Sequence, residues 1–300
     1  MFFGPANTTG KVDSAFFFIV AAAAILLVLV MTVMIAFLIK YRRERHPEPE
    51  AVKESVLLEV VWTVIPLGLV MVMFYFGWVD FEYIRNPPPD AMEVDVTARQ
   101  WSWLFHYANG SEDDVLRVPA NQPVKLIMTS VDVLHCLFIP AFRIKEDCVP
   151  GLKTHLWFNA NEPGTYEIFC SEYCGVGHSH MRSSVIVLSQ NDFDTWYRTA
   201  AEAGPVAEGL TVLKSKGCLG CHSLDGTRRV GPTLQGLAGR QVTVVTAGRE
   251  QTLAADAAYI KASILDPGRD IVKGYQAVMP KIQVTDQELD EIVAYLETLK

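Results

Sequence analysis

Residues 170–181 read CSEYCGVGHSHM, placing Cys170, Cys174, His178 and Met181 within one short loop, with Glu172 between the cysteines. Structural zinc would take the cysteines and the histidine but has little use for a methionine. Soft sulfur ligands favour copper. A single blue copper uses one cysteine, one histidine, a weak axial methionine and a second histidine from an earlier strand. His135, at the end of the apolar run SVDVLH, supplies that distant histidine. One cysteine is then left over. Two thiolates on one loop can bridge two coppers, each also bound by one histidine, with Met181 and the backbone carbonyl of Glu172 as weak further ligands. Sharing one unpaired electron between two metals reduces the reorganisation that accompanies transfer, so the stretch points to an electron relay.

The segments around this loop read as a β-sandwich. MEVDVTARQWSWLFHY (92–107), PVKLIMTSVDVLH (123–135), THLWFNA (154–160), GTYEIFC (164–170) and SSVIVLS (183–189) are short, alternating or β-branched, and punctuated by Gly and Pro. That spacing predicts an antiparallel sandwich over 81–190. A short amphipathic helix from Asp192 and the sequence AGPVAEG predict a linker over 191–207. Helical periodicity then takes over to residue 300, with Thr285 placed to cap the last helix and Glu288 three residues on.

Residues 218–222 read CLGCH, the attachment pattern of a c-type heme: Cys218 and Cys221 take the vinyl groups and His222 the iron. No histidine follows His222, and Met279 is the only methionine after Met181, so Met279 is the expected distal ligand. Met/His ligation raises the potential and suits an electron carrier. The run RRVGPTLQGLAGR together with VMP resembles class I cytochromes c, which implies an all-α cytochrome c domain over 208–300.

Upstream, residues 15–39 and 60–79 carry no charge and are long enough to cross a bilayer. The first is too long, and lacks the cleavage pattern, for a signal peptide. Lys40, Arg42, Arg43, Arg45 and Lys53 sit in the connecting loop, while only Lys11 precedes the first span. The positive-inside rule therefore predicts a two-helix transmembrane hairpin over 1–80 with its loop in the cytoplasm. The N-terminus and everything after residue 80 are then expected on the periplasmic face of a bacterial cytoplasmic membrane. Residues 81–204 hold sixteen acidic against nine basic side chains, a balance that can steer a basic protein partner or simply confer solubility. No basic patch suggests nucleic acid.

Taken together, CSEYCGVGHSHM, DVLHCLFIPAFRIKEDCVPG, QWSWLF and LEVVWTVIP resemble subunit II of heme–copper cytochrome c oxidases, with the fused heme domain of the caa-type variant. The resemblance implies a cupredoxin-like fold for the sandwich and a binuclear CuA centre held by His135, Cys170, Glu172 (carbonyl), Cys174, His178 and Met181. It also implies a magnesium ion shared with subunit I through the Glu172 side chain. Trp101 matches the residue through which electrons enter from cytochrome c, with Trp103 expected on the same strand face. Glu59 matches the mouth of a proton path into subunit I. The expected partners are subunits I and III, membrane lipid, and an external donor such as a cytochrome or quinol-oxidising complex. Oxygen reduction and proton pumping would occur in subunit I, since neither span here carries a histidine.

Ser102 departs from the family pattern, which commonly has an aromatic there. Cys136 and Cys148 depart as well, and are expected either as buried free thiols or as a disulfide across the intervening loop. His46, His106, His155 and His180 are expected to be structural or exposed. A nitric oxide reductase subunit would share the same copper ligands, whereas a copper-delivery protein would have no use for CLGCH.

Overall fold

The computed structural model describes residues 4–48, 54–201 and 208–299. Lys53 and the last six residues of the expected linker, 202–207, lie outside the described residues. Helix α1 (Asn7–Lys40) and helix α2 (Val56–Arg85) form the expected hairpin. Their most apolar windows have mean hydropathies of 3.0 and 2.3, and almost none of that surface is buried against protein. Helices this long and apolar, with outward-facing Leu, Ile, Val and Phe, satisfy their backbone internally and suit lipid as solvent.

The hairpin is anchored to the sandwich at one end. Ala6 bridges to Ala160. The Thr8 hydroxyl donates to the Phe142 carbonyl at 2.5 Å, and the Asn159 amide donates to Asn7 at 2.8 Å. Arg143 pairs with Asp13 at 3.0 Å, and Arg85 at the end of α2 pairs with Glu146. The loop between the helices therefore lies at the far end of the hairpin.

Ten strands follow: β1 (Met92–Arg99), β2 (Ser102–Tyr107), β3 (Glu112–Asp113), β4 (Leu116–Pro119), β5 (Pro123–Ser130), β6 (His135–Ile139), β7 (Ile144–Cys148), β8 (Thr154–Asn159), β9 (Gly164–Cys170) and β10 (Arg182–Leu188). They form two five-stranded sheets, ordered β3-β2-β1-β5-β8 and β4-β10-β9-β6-β7. Strict alternation along β5 puts Val124, Leu126 and Met128 into the core between the sheets. The sandwich is not wholly antiparallel as expected, because β1 runs parallel to β5 and β4 parallel to β10. The chain makes a long excursion through β2 to β4, with β4 in the opposite sheet, before β5 returns beside β1, and such a crossover permits a parallel pair.

Helix α3 (Gln190–Ala201) closes one side of the sandwich through Phe193, Trp196 and Tyr197, with Trp196 edge-on to Tyr107 at 4.9 Å. The heme domain comprises α4 (Glu208–Ser215), α5 (Cys218–Cys221), α6 (Ala257–Leu265) and α7 (Asp286–Thr298). Leu213, Ile260, Ile292 and Leu296 form its core. The expected cap is present as a reciprocal box between Thr285 and Glu288.

The all-α expectation needs one correction, since β11 (Gln241–Thr246), β12 (Arg249–Ala254) and β13 (Asp270–Val272) make a small sheet. Its hairpin turns at Ala247 and Gly248, with φ of 47° and 81°, the pair of positive angles that a tight two-residue connection demands.

Candidate metal and heme centres

The copper-type residues converge at one end of the sandwich, where β5 passes to β6 and β9 to β10. His135 opens β6 and is completely buried. Cys170 ends β9, and its amide donates to the Met181 carbonyl at 3.1 Å, which closes the loop on itself. Cys170 Sγ lies 3.8 Å from Cys174 Sγ, 3.9 Å from His135 Nδ1 and 3.2 Å from the Glu172 carbonyl oxygen. Cys174 Sγ lies 3.4 Å from His178 Nδ1 and 3.9 Å from Met181 Sδ. Ligand atoms of His135, Cys170 and Cys174 all fall within 4.8 Å of one another, and His178 joins through Cys174. Two sulfurs flanked by one imidazole nitrogen on each side form a donor set that suits copper.

The electrostatics fit a cation at this point. Burial pushes the Cys170 thiol up, but hydrogen bonds from His135 and nearby backbone outweigh it and hold its pKa below the ordinary thiol value. Burial, together with the negative charge on Cys170, pushes Cys174 up. A bound cation would let both ionise. His135 Nε2 bonds to Asp132 Oδ1 at 2.8 Å, which leaves Nδ1 free toward the sulfurs. Asp132 in turn accepts from the Gln100 and Val133 amides. Sequence reasoning overlooked Asp132, although a carboxylate three residues before a candidate ligand histidine was its visible signal.

The heme residues also converge. Cys218, Cys221, His222 and Met279 line one largely apolar cavity with Leu213, Ile264 and Ile271. His222 Nδ1 donates to the Pro232 carbonyl at 2.7 Å, leaving Nε2 as the lone-pair nitrogen. Burial lowers the His222 pKa, so the imidazole is held neutral, as an iron ligand must be. The buried Ser263 hydroxyl, also on this wall, has no partner among the described residues. An apolar cavity with two thiols, a neutral imidazole and a thioether fits a covalent heme.

Three family models match this chain. Residues 5–77 match the family model for the transmembrane domain of cytochrome c oxidase subunit II, and residues 109–189 match the model for its periplasmic domain. Residues 206–300 match cytochrome c. Cytochrome c oxidase subunit 2 of Alkalihalophilus pseudofirmus is 30% identical over 295 residues, covering 91% of this chain and 82% of the relative. The chain belongs to the cytochrome c oxidase subunit II family. An alternative cytochrome c oxidase subunit 2 of Bradyrhizobium diazoefficiens is 29% identical, covering 52% of this chain and 68% of the relative. A crystal structure of the periplasmic domain of subunit II from Bradyrhizobium japonicum is 28% identical, with a TM-score of 0.38, covering 39% of this chain and 98% of that one.

In this subunit II chain, Trp101 and Trp103 do not share a strand face. Strand β2 begins at Ser102, so Trp101 sits in the turn before it. Its indole Nε1 donates to the Cys174 carbonyl at 3.0 Å. The ring covers Gly177, where an added Cβ would lie 2.3 Å from Trp101 Cδ2, so only glycine allows this approach. Trp103 is inside β2, its ring 6.3 Å from that of His135. Gln100, also not foreseen, donates to the same Cys174 carbonyl at 2.8 Å.

Cys136 and Cys148 are buried free thiols, pushed up to about 12 by burial. Cys136 pairs across the ladder with Asp147, and Cys148 with His135, so the two cysteines occupy opposite faces of the sheet and cannot meet. His106 bonds to Thr97 and Glu112, His155 contacts the Arg85 carbonyl, and His180 is exposed. The His46 ring lies 5.0 Å from that of Tyr41, tilted by 47°. Glu59 lies in the first turn of α2, exposed, and about 39 Å along the helix from Arg85. It therefore plays no part in the copper cluster.

Proposed function

We infer that this chain is the electron-input subunit of a heme–copper oxidase, in which electrons from an external donor enter at a covalent heme c and pass through a binuclear copper centre to subunit I, where oxygen is reduced to water and protons are pumped. The observation that carries this reading is a single residue between the two sites. The Trp101 indole bonds to the carbonyl of Cys174, while the Trp101 carbonyl faces Gly220, between the two heme cysteines. A Cβ on Gly220 would lie 2.5 Å from that carbonyl oxygen, so the backbones meet directly.

In this reading Cys170 and Cys174 bridge the coppers, His135 and His178 cap them, and Met181 and the Glu172 carbonyl complete the site. Cys218, Cys221, His222 and Met279 hold the heme. Trp101 is the bridge by which electrons enter the copper domain. The exposed Glu172 side chain is available to a magnesium ion at the subunit I face, and Glu59 to a proton path at the cytoplasmic end. The hairpin lies in lipid beside subunits I and III with both soluble domains in the periplasm.

Stopped-flow mixing of the assembled oxidase with a reduced external cytochrome tests this. The heme band is expected to change before the copper band. The heme-to-copper step is expected to vary little with ionic strength, because a tether replaces a diffusional encounter. A copper step that slows strongly with salt, with heme reduction not limiting, would contradict it.

A further inference from the structure

Lys214 occupies a position that none of the metal or heme chemistry requires. It lies in α4, four residues before Cys218, and reaches out of the heme domain into the sandwich. Its Nζ is 3.0 Å from Asp113 Oδ1 and 3.1 Å from Asp114 Oδ1. Asp113 is further held by Arg117. Among the described residues, the ion pairs joining the sandwich to the heme domain are those of Lys214. The remainder of the contact is small. The hydrophobic clusters of the two domains are separate, and Cys221 is the heme-domain residue packed against the sandwich core. Gly217 and Gly220 let the α5 backbone rest on Arg99, Trp101 and Ser102. The close backbone contact is made by one short segment, and the charged pair beside it adds an orienting constraint.

We propose that Lys214 is a positioning residue for interdomain electron transfer, and that its pairing with Asp113 and Asp114 holds the CLGCH segment against Trp101. The proposal rests on the functional reading above. The pair is about three-quarters buried at Lys214 and more so at Asp113, so ordinary salt screens it only weakly. Burial opposes the Lys214 charge, but the two aspartates outweigh it and raise its pKa, so the ammonium persists across the physiological range.

The test is the rate of internal heme-to-copper transfer in the assembled oxidase after rapid photoreduction of the heme. In Lys214→Glu, like charges face each other and the docked population falls. Transfer is expected to slow about tenfold in proportion. The heme absorbance and the copper resonance should stay as in wild type, since each site is built within its own domain. Raising the salt should accelerate this variant while leaving wild type nearly unchanged, a salt response that general destabilisation does not produce. Lys214→Ala should slow transfer less, and Asp114→Lys added to Lys214→Glu should restore much of it. Equal rates in wild type and Lys214→Glu, with both sites intact, would overturn this proposal alone. Failure of the Asp114→Lys exchange to restore any rate would overturn it also. Absence of transfer in wild type would overturn the functional reading with it.

Discussion

Cys174→Ser is expected to eliminate the mixed-valence copper resonance and to lower oxidase turnover by about 100-fold or more. Altering a group that merely orients a ligand already costs about 10–100-fold in metal affinity or activity, and in the proposed arrangement this change removes a bridging thiolate outright. Cys174 Sγ lies within 3.9 Å of Cys170 Sγ, His178 Nδ1 and Met181 Sδ. A serine hydroxyl is harder than a thiolate and does not ionise at neutral pH, so in the proposed arrangement each copper loses one of its two thiolate ligands. The remaining Cys170, His135 and Met181 would hold at most one copper. Heme absorbance is expected to persist, because the heme domain has its own core. Electron paramagnetic resonance checks the prediction, and an unchanged multi-line signal would remove Cys174 from the site.

The second large effect is expected from replacing Cys218 and Cys221 with alanine. Heme staining on a denaturing gel should vanish, and turnover with an external cytochrome should fall by about 100-fold or more, since the chain would lose the proposed entry site for electrons. The copper resonance should remain. Stability should also drop, because the cavity bounded by Leu213, Ile264 and Ile271 is built to be filled. Loss of a covalent heme therefore should lower the melting temperature of the heme domain visibly. Heme retained on the denaturing gel would contradict the assignment.

Much of this was legible in the residues, for physical reasons that differ by region. The hairpin was readable because a bilayer demands an uncharged run of fixed length, and residues 15–39 and 60–79 have no other use. The copper loop was readable because four soft or imidazole ligands on one loop leave few alternatives. What the sequence could not show was contact across the fold. Asp132 takes meaning only once β6 brings His135 Nε2 to it, and Gly177 and Gly220 only once Trp101 is seen between them. The position of Trp101 was misread because alternation continues through QWSW, whereas the backbone turns before Ser102. The parallel pairs of the sandwich come from strand order, which alternation does not encode. The hairpin at 241–254 did have a signal in QVTVVTAGREQTLA, where Val242 and Val244 alternate inward before a turn at Ala247 and Gly248. A helical neighbourhood overshadowed it.

The central claim is that both centres lie on one chain with two thiolates shared between two coppers. Metal analysis of the purified full-length chain, combined with electron paramagnetic resonance, tests it most directly. Two coppers and one iron per chain are expected, with a multi-line resonance from one electron shared by two coppers. One copper per chain, or stoichiometric zinc held by Cys170 and Cys174, would contradict it.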